Sequence, residues 1–257
     1  MPGPYRVQSG LEDYLKAHIP GAAFIDLQDD LSDPDSELRF TCLDSDSLIR
    51  AFGKLGIGDE STVVLYSQTS PQWATRIWWL LRIAGFDNAR VLNGGLTKWK
   101  LDQRTITDQQ TIYPSAKLTT APRTGLMASK DDVFKAIDEP ATCTINALRR
   151  AQHTGQDDGE FGNYGRPGHI SGSVNVPTVE LVDGTTTEFL TSQEIATKFN
   201  EIGVDKANRI VTYCGGGIAA SATAMVLVML GFDNVSLYDA SLSEWAPDQN
   251  LPMDTLN

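Results

Sequence analysis

The sequence predicts an α/β fold in two similar halves, each a small parallel sheet flanked by helices. Three observations predict it: apolar runs of strand length alternate with amphipathic stretches of helical period, a set of motifs recurs in the same order, and a polar stretch separates the two sets. A chain of 257 residues with 41% apolar content can bury one large core or two cores of about 100 to 130 residues. The recurrence decides for two.

The first motif, His18-Ile19-Pro20-Gly21-Ala22, returns as His169-Ile170-Ser171-Gly172-Ser173. Helical patterns at 48–55 and 195–202 follow, each ended by a glycine and a polar turn. Then comes an apolar strand closed by an aromatic and a small residue, Val63-Val64-Leu65-Tyr66-Ser67 in one half and Ile210-Val211-Thr212-Tyr213-Cys214 in the other. Segments 76–84 and 219–230 are apolar on most sides, as suits helices packed on a sheet. Gly85-Phe86-Asp87-Asn88 returns as Gly231-Phe232-Asp233-Asn234, and Asn93-Gly94-Gly95-Leu96-Thr97-Lys98-Trp99 as Asp239-Ala240-Ser241-Leu242-Ser243-Glu244-Trp245.

These boundaries give a first domain at 1–112, a linker at 113–125 rich in Thr with Pro114 and Pro122, and a second domain at 126–257. Residues 126–168 precede the second His-Ile motif, with a helix expected near 131–137 and a strand near 142–147. Only residues 1–17 precede the first. The first domain is therefore expected to lack its opening helix and strand, or the true start to lie upstream of Met1.

Net charge is −12 with the acidic residues spread along the chain, which disfavours nucleic acid as a partner. Three widely separated cysteines make neither a disulfide framework nor a metal site. No metal or organic cofactor is expected. The N-terminus carries no apolar leader pattern and no run is long enough to cross a bilayer, so the expectation is a cytoplasmic protein without a membrane partner.

The chemistry-bearing element is Cys214-Gly215-Gly216-Gly217-Ile218-Ala219. A strand delivers the cysteine, three glycines are expected to turn their N–H groups inward at positive φ, and a helix N-terminus follows at Ile218. The backbone N–H groups of Gly215, Gly216, Gly217, Ile218 and Ala219 would then cradle a thiolate or an oxyanion. The bland alternative is a small buried cysteine at a tight turn. In the other half Ser67 is followed by Gln68-Thr69-Ser70-Pro71, which cannot form such a nest. A Cys-based phosphatase would need an Arg six residues beyond the cysteine, where Ala220 stands. Cys42 and Cys143 have no glycine loop and are expected to be inert, His169 to make structural hydrogen bonds, and Trp99 and Trp245 to anchor cores.

Together the His-Ile-x-Gly motif, the strand ending in cysteine, the glycine-bearing loop and the Leu-x-x-Trp downstream resemble the tandem rhodanese family, the thiosulfate and 3-mercaptopyruvate sulfurtransferases. The resemblance implies two rhodanese-like domains, an active Cys214 against a silent Ser67, and ping-pong transfer of sulfane sulfur through a Cys214 persulfide. The implied donors are 3-mercaptopyruvate or thiosulfate; the implied acceptors are cyanide, a low-molecular-weight thiol or thioredoxin. Departures are specific. Glycines 215 and 216 stand where thiosulfate-type members carry basic residues, and the Asp-x-Arg frame of the mercaptopyruvate type reads Asn146-Ala147-Leu148, with Gln152 at the place of the second Arg. Arg149 and Arg150, and less directly Arg166, become the candidates for holding the donor's anion. The rival expectation is a non-catalytic sulfur-binding or protein-interaction module of the same fold.

Overall fold

A computed structural model describes residues 8–157, 159, 164–204 and 208–256. Its contacts divide the chain into an N-terminal unit that runs to Thr124 and includes Asp183–Phe189, and a C-terminal unit of Gly125–Val182 with the chain from Leu190 onward.

The N-terminal unit holds helices α1 (Leu11–Lys16), α2 (Leu27–Leu31), α3 (Ser45–Lys54), α4 (Pro71–Ile83) and α5 (Gly95–Leu101), with strands β1 (Val63–Leu65) and β2 (Ala89–Val91). Asp26 and Asp44 start α2 and α3 by accepting backbone N–H groups of the first turn. The two strands pair in parallel, Val63 opposite Ala89, and α4 buries Trp79, Leu80 and Leu81 beside them. No third strand joins this sheet among the described residues.

Residues of the expected linker are bound to this unit rather than spanning free. Ala116 N–H donates to Gly53 O at 2.8 Å, Thr119 N–H to Asp59 Oδ1 at 2.7 Å and Arg123 N–H to Ile83 O at 2.9 Å. The approach is close because glycine lies beneath it: a β-carbon at Gly85, whose φ is +81°, would collide with the Ala121 carbonyl. Residues 183–189, inside the expected second domain, also pack with the N-terminal unit. Thr187 Oγ1 donates to Gly94 O at 2.9 Å and Phe189 N–H to Asn93 Oδ1 at 2.8 Å.

In the C-terminal unit the elements are β3 (Met127–Ala128), α6 (Lys130–Ala136), β4 (Thr142–Asn146), α7 (Arg150–Thr154), β5 (His169–Ile170), β6 (Val174–Asn175), a 3₁₀ turn at Thr178–Glu180, α8 (Ser192–Glu201), β7 (Arg209–Tyr213), α9 (Ile218–Met229), β8 (Val235–Tyr238), α10 (Ser241–Trp245) and β9 (Met253–Asp254). Five strands form one parallel sheet in the order β3-β8-β7-β4-β6. Ser129 and Thr191 open α6 and α8 with capping boxes to Asp132 and Glu194. Helix α9 buries nine of its residues, consistent with its nearly uniform apolar sequence.

The repeat survives as hydrogen bonds. The hydroxyl of Tyr66 accepts Ile19 N–H at 3.1 Å, and that of Tyr213 accepts Ile170 N–H at 3.1 Å. His18 Nδ1 meets Tyr14 O at 2.6 Å and His169 Nδ1 meets His153 O at 2.7 Å, each imidazole stacked on the ring of the residue it bonds. Trp99 Nε1–H donates to Thr105 O and Trp245 Nε1–H to Pro252 O. The two histidines are structural in both halves, each lashing the turn before β-structure to a preceding segment.

Candidate functional site

Strand order places the site. From β4 the chain moves outward to β6, and from β7 it moves the other way to β8, so the connections diverge between β4 and β7. A crevice opens at the carboxyl ends of such a strand pair. Asn146 pairs with Tyr213 as the last residues of β4 and β7, so Ala147-Leu148 and Cys214-Gly215 leave the sheet side by side. Ala147 N–H closes the pairing on Tyr213 O at 2.8 Å, and the Asn175 amide holds the neighbouring turn by donating to Asn146 O and Leu148 O, both at 2.9 Å.

Cys214 is 2% exposed and its backbone is fixed from α10. Its N–H donates to Ser241 Oγ at 3.0 Å, the Ser241 hydroxyl donates to Tyr238 O at 2.7 Å, and Leu242 N–H donates to Cys214 O at 3.1 Å. Both Ser243 N–H and Ser243 Oγ donate to Gly215 O, at 2.9 and 2.6 Å. Ser241 has φ +51°, a left-handed conformation that costs a non-glycine residue about 1 to 2 kcal/mol and is offset here by its two hydrogen bonds. Gly95 takes the same place in the other half with φ +50°. The sequence shows Ser241 as part of a repeat; its hold on the cysteine is a long-range contact with no local signature.

The three glycines do different work from the nest expected of them. Only Gly217 has positive φ, +76°, as the N-cap of α9. Gly215 is bare because Tyr164 occupies its side-chain space: a β-carbon there would coincide with the phenol hydroxyl and Cζ. A β-carbon at Gly216 would meet nothing closer than Ser243 Oγ at 3.8 Å, so that position has room for a side chain. At the turn into α9, Ile218 and Ala219 contribute first-turn N–H groups that have no intrahelical acceptor.

The candidate arginines separate. Arg150 forms a bidentate pair with Glu180, Nε to Oε1 and Nη2 to Oε2 both at 2.7 Å, on the exposed side of α7. In this arrangement both arms of its fork are closed on a carboxylate. Arg149 is exposed at the N-cap of α7, where its own N–H donates to Gln152 Oε1 at 3.3 Å. Arg166 is bound to the end of α10, with Nε to Ala246 O at 2.9 Å and Nη2 to Asp248 O at 2.6 Å, an arginine C-cap rather than an anion site. Leu148 and Tyr164 pack against the buried core cluster that includes Tyr213, Leu242 and Trp245, and Gln152 is buried.

Behind the cysteine runs a buried polar chain. Tyr213, wholly enclosed, shares hydrogen bonds with Ser173 Oγ at 2.7 Å and with Asn146, and burial pushes its phenol well above the usual range. Asn146 Oδ1 accepts Leu148 N–H at 2.9 Å, which turns its Nδ2 toward His153 Nδ1 at 3.2 Å. That contact suits a neutral His153 that accepts at Nδ1. Burial first, then the adjacent His169 and Arg150, lowers its pKa to about 4 from an ordinary 6.5. The unfolded chain therefore takes up this proton before the folded one, so stability is lost as pH falls from 6.5 toward 4. Discounted for partial solvent access, the loss is about 1 to 2 kcal/mol. Thermal melts at pH 7 and pH 4.5 should show a fall in midpoint that shrinks in His153→Gln; an unchanged slope in the variant would assign the effect elsewhere.

The other thiols are poorly placed. Burial raises the pKa of Cys143 to about 11, and Cys42 donates from Sγ to Leu43 O at 3.1 Å.

A model of the rhodanese-like domain matches the chain twice, at residues 9–102 and 150–248. The 3-mercaptopyruvate sulfurtransferase of Escherichia coli (strain K12) is 31% identical over 244 residues, 95% of this chain and 85% of the relative. A putative thiosulfate sulfurtransferase of Mycolicibacterium smegmatis is 29% identical over 252 residues, 94% of this chain and 87% of the relative. Among solved structures, a variant of EanB in complex with ergothioneine superposes with a TM-score of 0.86 at 22% identity, over 100% of this chain and 66% of that one, a likeness of fold.

Proposed function

The chain belongs to the rhodanese-like domain family, whose relatives here are sulfurtransferases, and from that premise we propose that it transfers sulfane sulfur through a persulfide on Cys214. The observation that carries this reading is the position of Cys214, at the strand-order divergence of the five-stranded sheet and at the foot of α9, with Ser67 in the matching frame of the other half. The Cys214 thiolate attacks the outer sulfur of a small donor, 3-mercaptopyruvate or thiosulfate. A new S–S bond forms, and the donor's C–S or S–S bond breaks with its electron pair leaving on the pyruvate enolate, later protonated, or on sulfite. A thiophilic acceptor such as cyanide, a low-molecular-weight thiol or thioredoxin then takes the outer sulfur and returns the thiolate.

A second reading is favoured by one observation: neither Leu148 nor Gln152 carries a positive charge to pair with a carboxylate, and Arg150 is engaged by Glu180. It describes a non-catalytic sulfur-binding or interaction module. Intact-mass measurement after incubation with each donor separates the two. Gain of one sulfur atom, located on Cys214 by peptide mapping and removed by cyanide, supports transfer; no adduct with 3-mercaptopyruvate, thiosulfate or inorganic polysulfide would exclude it.

A further inference from the structure

Resting on the sulfur-transfer reading, we propose that Ser241 is a positioning residue for the reaction: its hydroxyl fixes the backbone of Cys214 so that the sulfur keeps one geometry through the cycle. Each half of the chain clamps the residue that ends its apolar strand, and the second half adds one bond to the clamp. In the first half Leu96 N–H donates to Ser67 O at 3.1 Å and Thr97 Oγ1 to Gln68 O at 3.0 Å. In the second Leu242 N–H donates to Cys214 O at 3.1 Å and Ser243 Oγ to Gly215 O at 2.6 Å. The added bond runs from Cys214 N–H to Ser241 Oγ at 3.0 Å, whereas Gly95 at the matching position has no side chain to offer Ser67 N–H. The half that holds the cysteine is the half that holds the hydroxyl.

The residue that opens the clamp has positive φ in both halves, +50° at Gly95 and +51° at Ser241. Glycine adopts this conformation freely and serine does not. Backbone geometry alone therefore accounts for Gly95 but leaves Ser241 to be explained by its side chain. That side chain is fully buried, accepts Cys214 N–H and donates to Tyr238 O at 2.7 Å. With the N–H and the carbonyl of Cys214 both held, rotation about its Cα–Cβ bond is the freedom left to the sulfur. Transfer uses that sulfur twice, first as nucleophile and then as leaving group, and misplacing a reacting atom by about 1 Å can cost about a hundredfold in rate. Ser241 acts through the backbone, and no proton or electron changes hands at its hydroxyl.

Ser241→Gly and Ser241→Ala both remove the hydroxyl but differ in strain, since glycine takes φ +51° without penalty and alanine does not. Ser241→Gly should therefore melt above Ser241→Ala, and Gly95 shows the fold accepting glycine at the matching position. Despite that difference, rapid-quench intact mass should show the saturating rate of persulfide formation on Cys214 falling by the same factor in both, about tenfold to a hundredfold. The donor concentration at half saturation should stay within about twofold of the unsubstituted protein, because no group that touches the donor has changed. The factor should be common to whichever of 3-mercaptopyruvate and thiosulfate load the protein. A parent-like rate in Ser241→Gly, rates that follow the melting midpoints, or a loss confined to the half-saturating concentration would each overturn the positioning role and leave sulfur transfer intact. Failure of every donor to load Cys214 in the unsubstituted protein would remove the sulfur-transfer reading and the positioning role with it.

Discussion

Cys214→Ser should form no sulfur adduct and turn over neither donor, while its thermal midpoint stays close to that of the parent. The loss is complete because a hydroxyl stays protonated where a thiol ionises, and the Cys143 thiol cannot substitute: at pH 8 about one part in a thousand of a thiol with pKa about 11 is thiolate. The small structural cost is displayed within the chain. Leu96 N–H donates to Ser67 O at 3.1 Å just as Leu242 N–H donates to Cys214 O at 3.1 Å, so this strand end accepts a serine without rearrangement.

The converse, Ser67→Cys, should gain no sulfur. Both helices begin four residues beyond the nucleophile position, α4 at Pro71 and α9 at Ile218. Yet the residue before α4 is Ser70 in extended conformation, φ −116°, whereas the residue before α9 is Gly217 at φ +76°. The two turns aim their N–H groups differently, and Pro71 has none to give. The Ser67 hydroxyl is spent on Ser70 O within its own loop. Sulfur on the thiol introduced by Ser67→Cys, or sulfur retained in Cys214→Ser, would refute the asymmetry of the two halves.

Elements with a period were legible in the sequence. The parallel sheet, the helices on either side of Cys214, and the two-unit plan follow from apolar spacing and from the order of the repeated motifs, which depend on neighbours within a few residues. Among the described residues the sheet of the first half has two strands and that of the second has five. What escaped depends on contacts distant along the chain. Ser241 reaches Cys214 across 27 positions, and residues 183–189 pack with the other unit. The glycine run misled in a particular way: three consecutive glycines suggest three special φ angles, but one serves φ, one makes room for Tyr164, and one has room to spare. Glycine composition records only that a side chain is missing. Which neighbour required it to be missing is a tertiary fact.

Gly215→Ala is the sharpest test of that distinction. Its φ lies outside the left-handed region, so alanine suffers no backbone penalty, and a local argument would expect a neutral or slightly stabilising change. The packing argument expects the opposite, since the new methyl would land on the Tyr164 phenol, whose side chain packs against the buried core cluster of this unit. Overpacking of this kind costs about 1 to 3 kcal/mol, and either the tyrosine is expelled or the cysteine loop is displaced. In a Tyr164→Gly background the same alanine should cost little, because the truncation empties the volume the methyl needs. The double-mutant cycle therefore predicts a coupling of about 1 to 2 kcal/mol between two residues 51 positions apart, read from chemical denaturation of the four proteins. Additive effects would show that the glycine is required by the turn itself and not by the phenol.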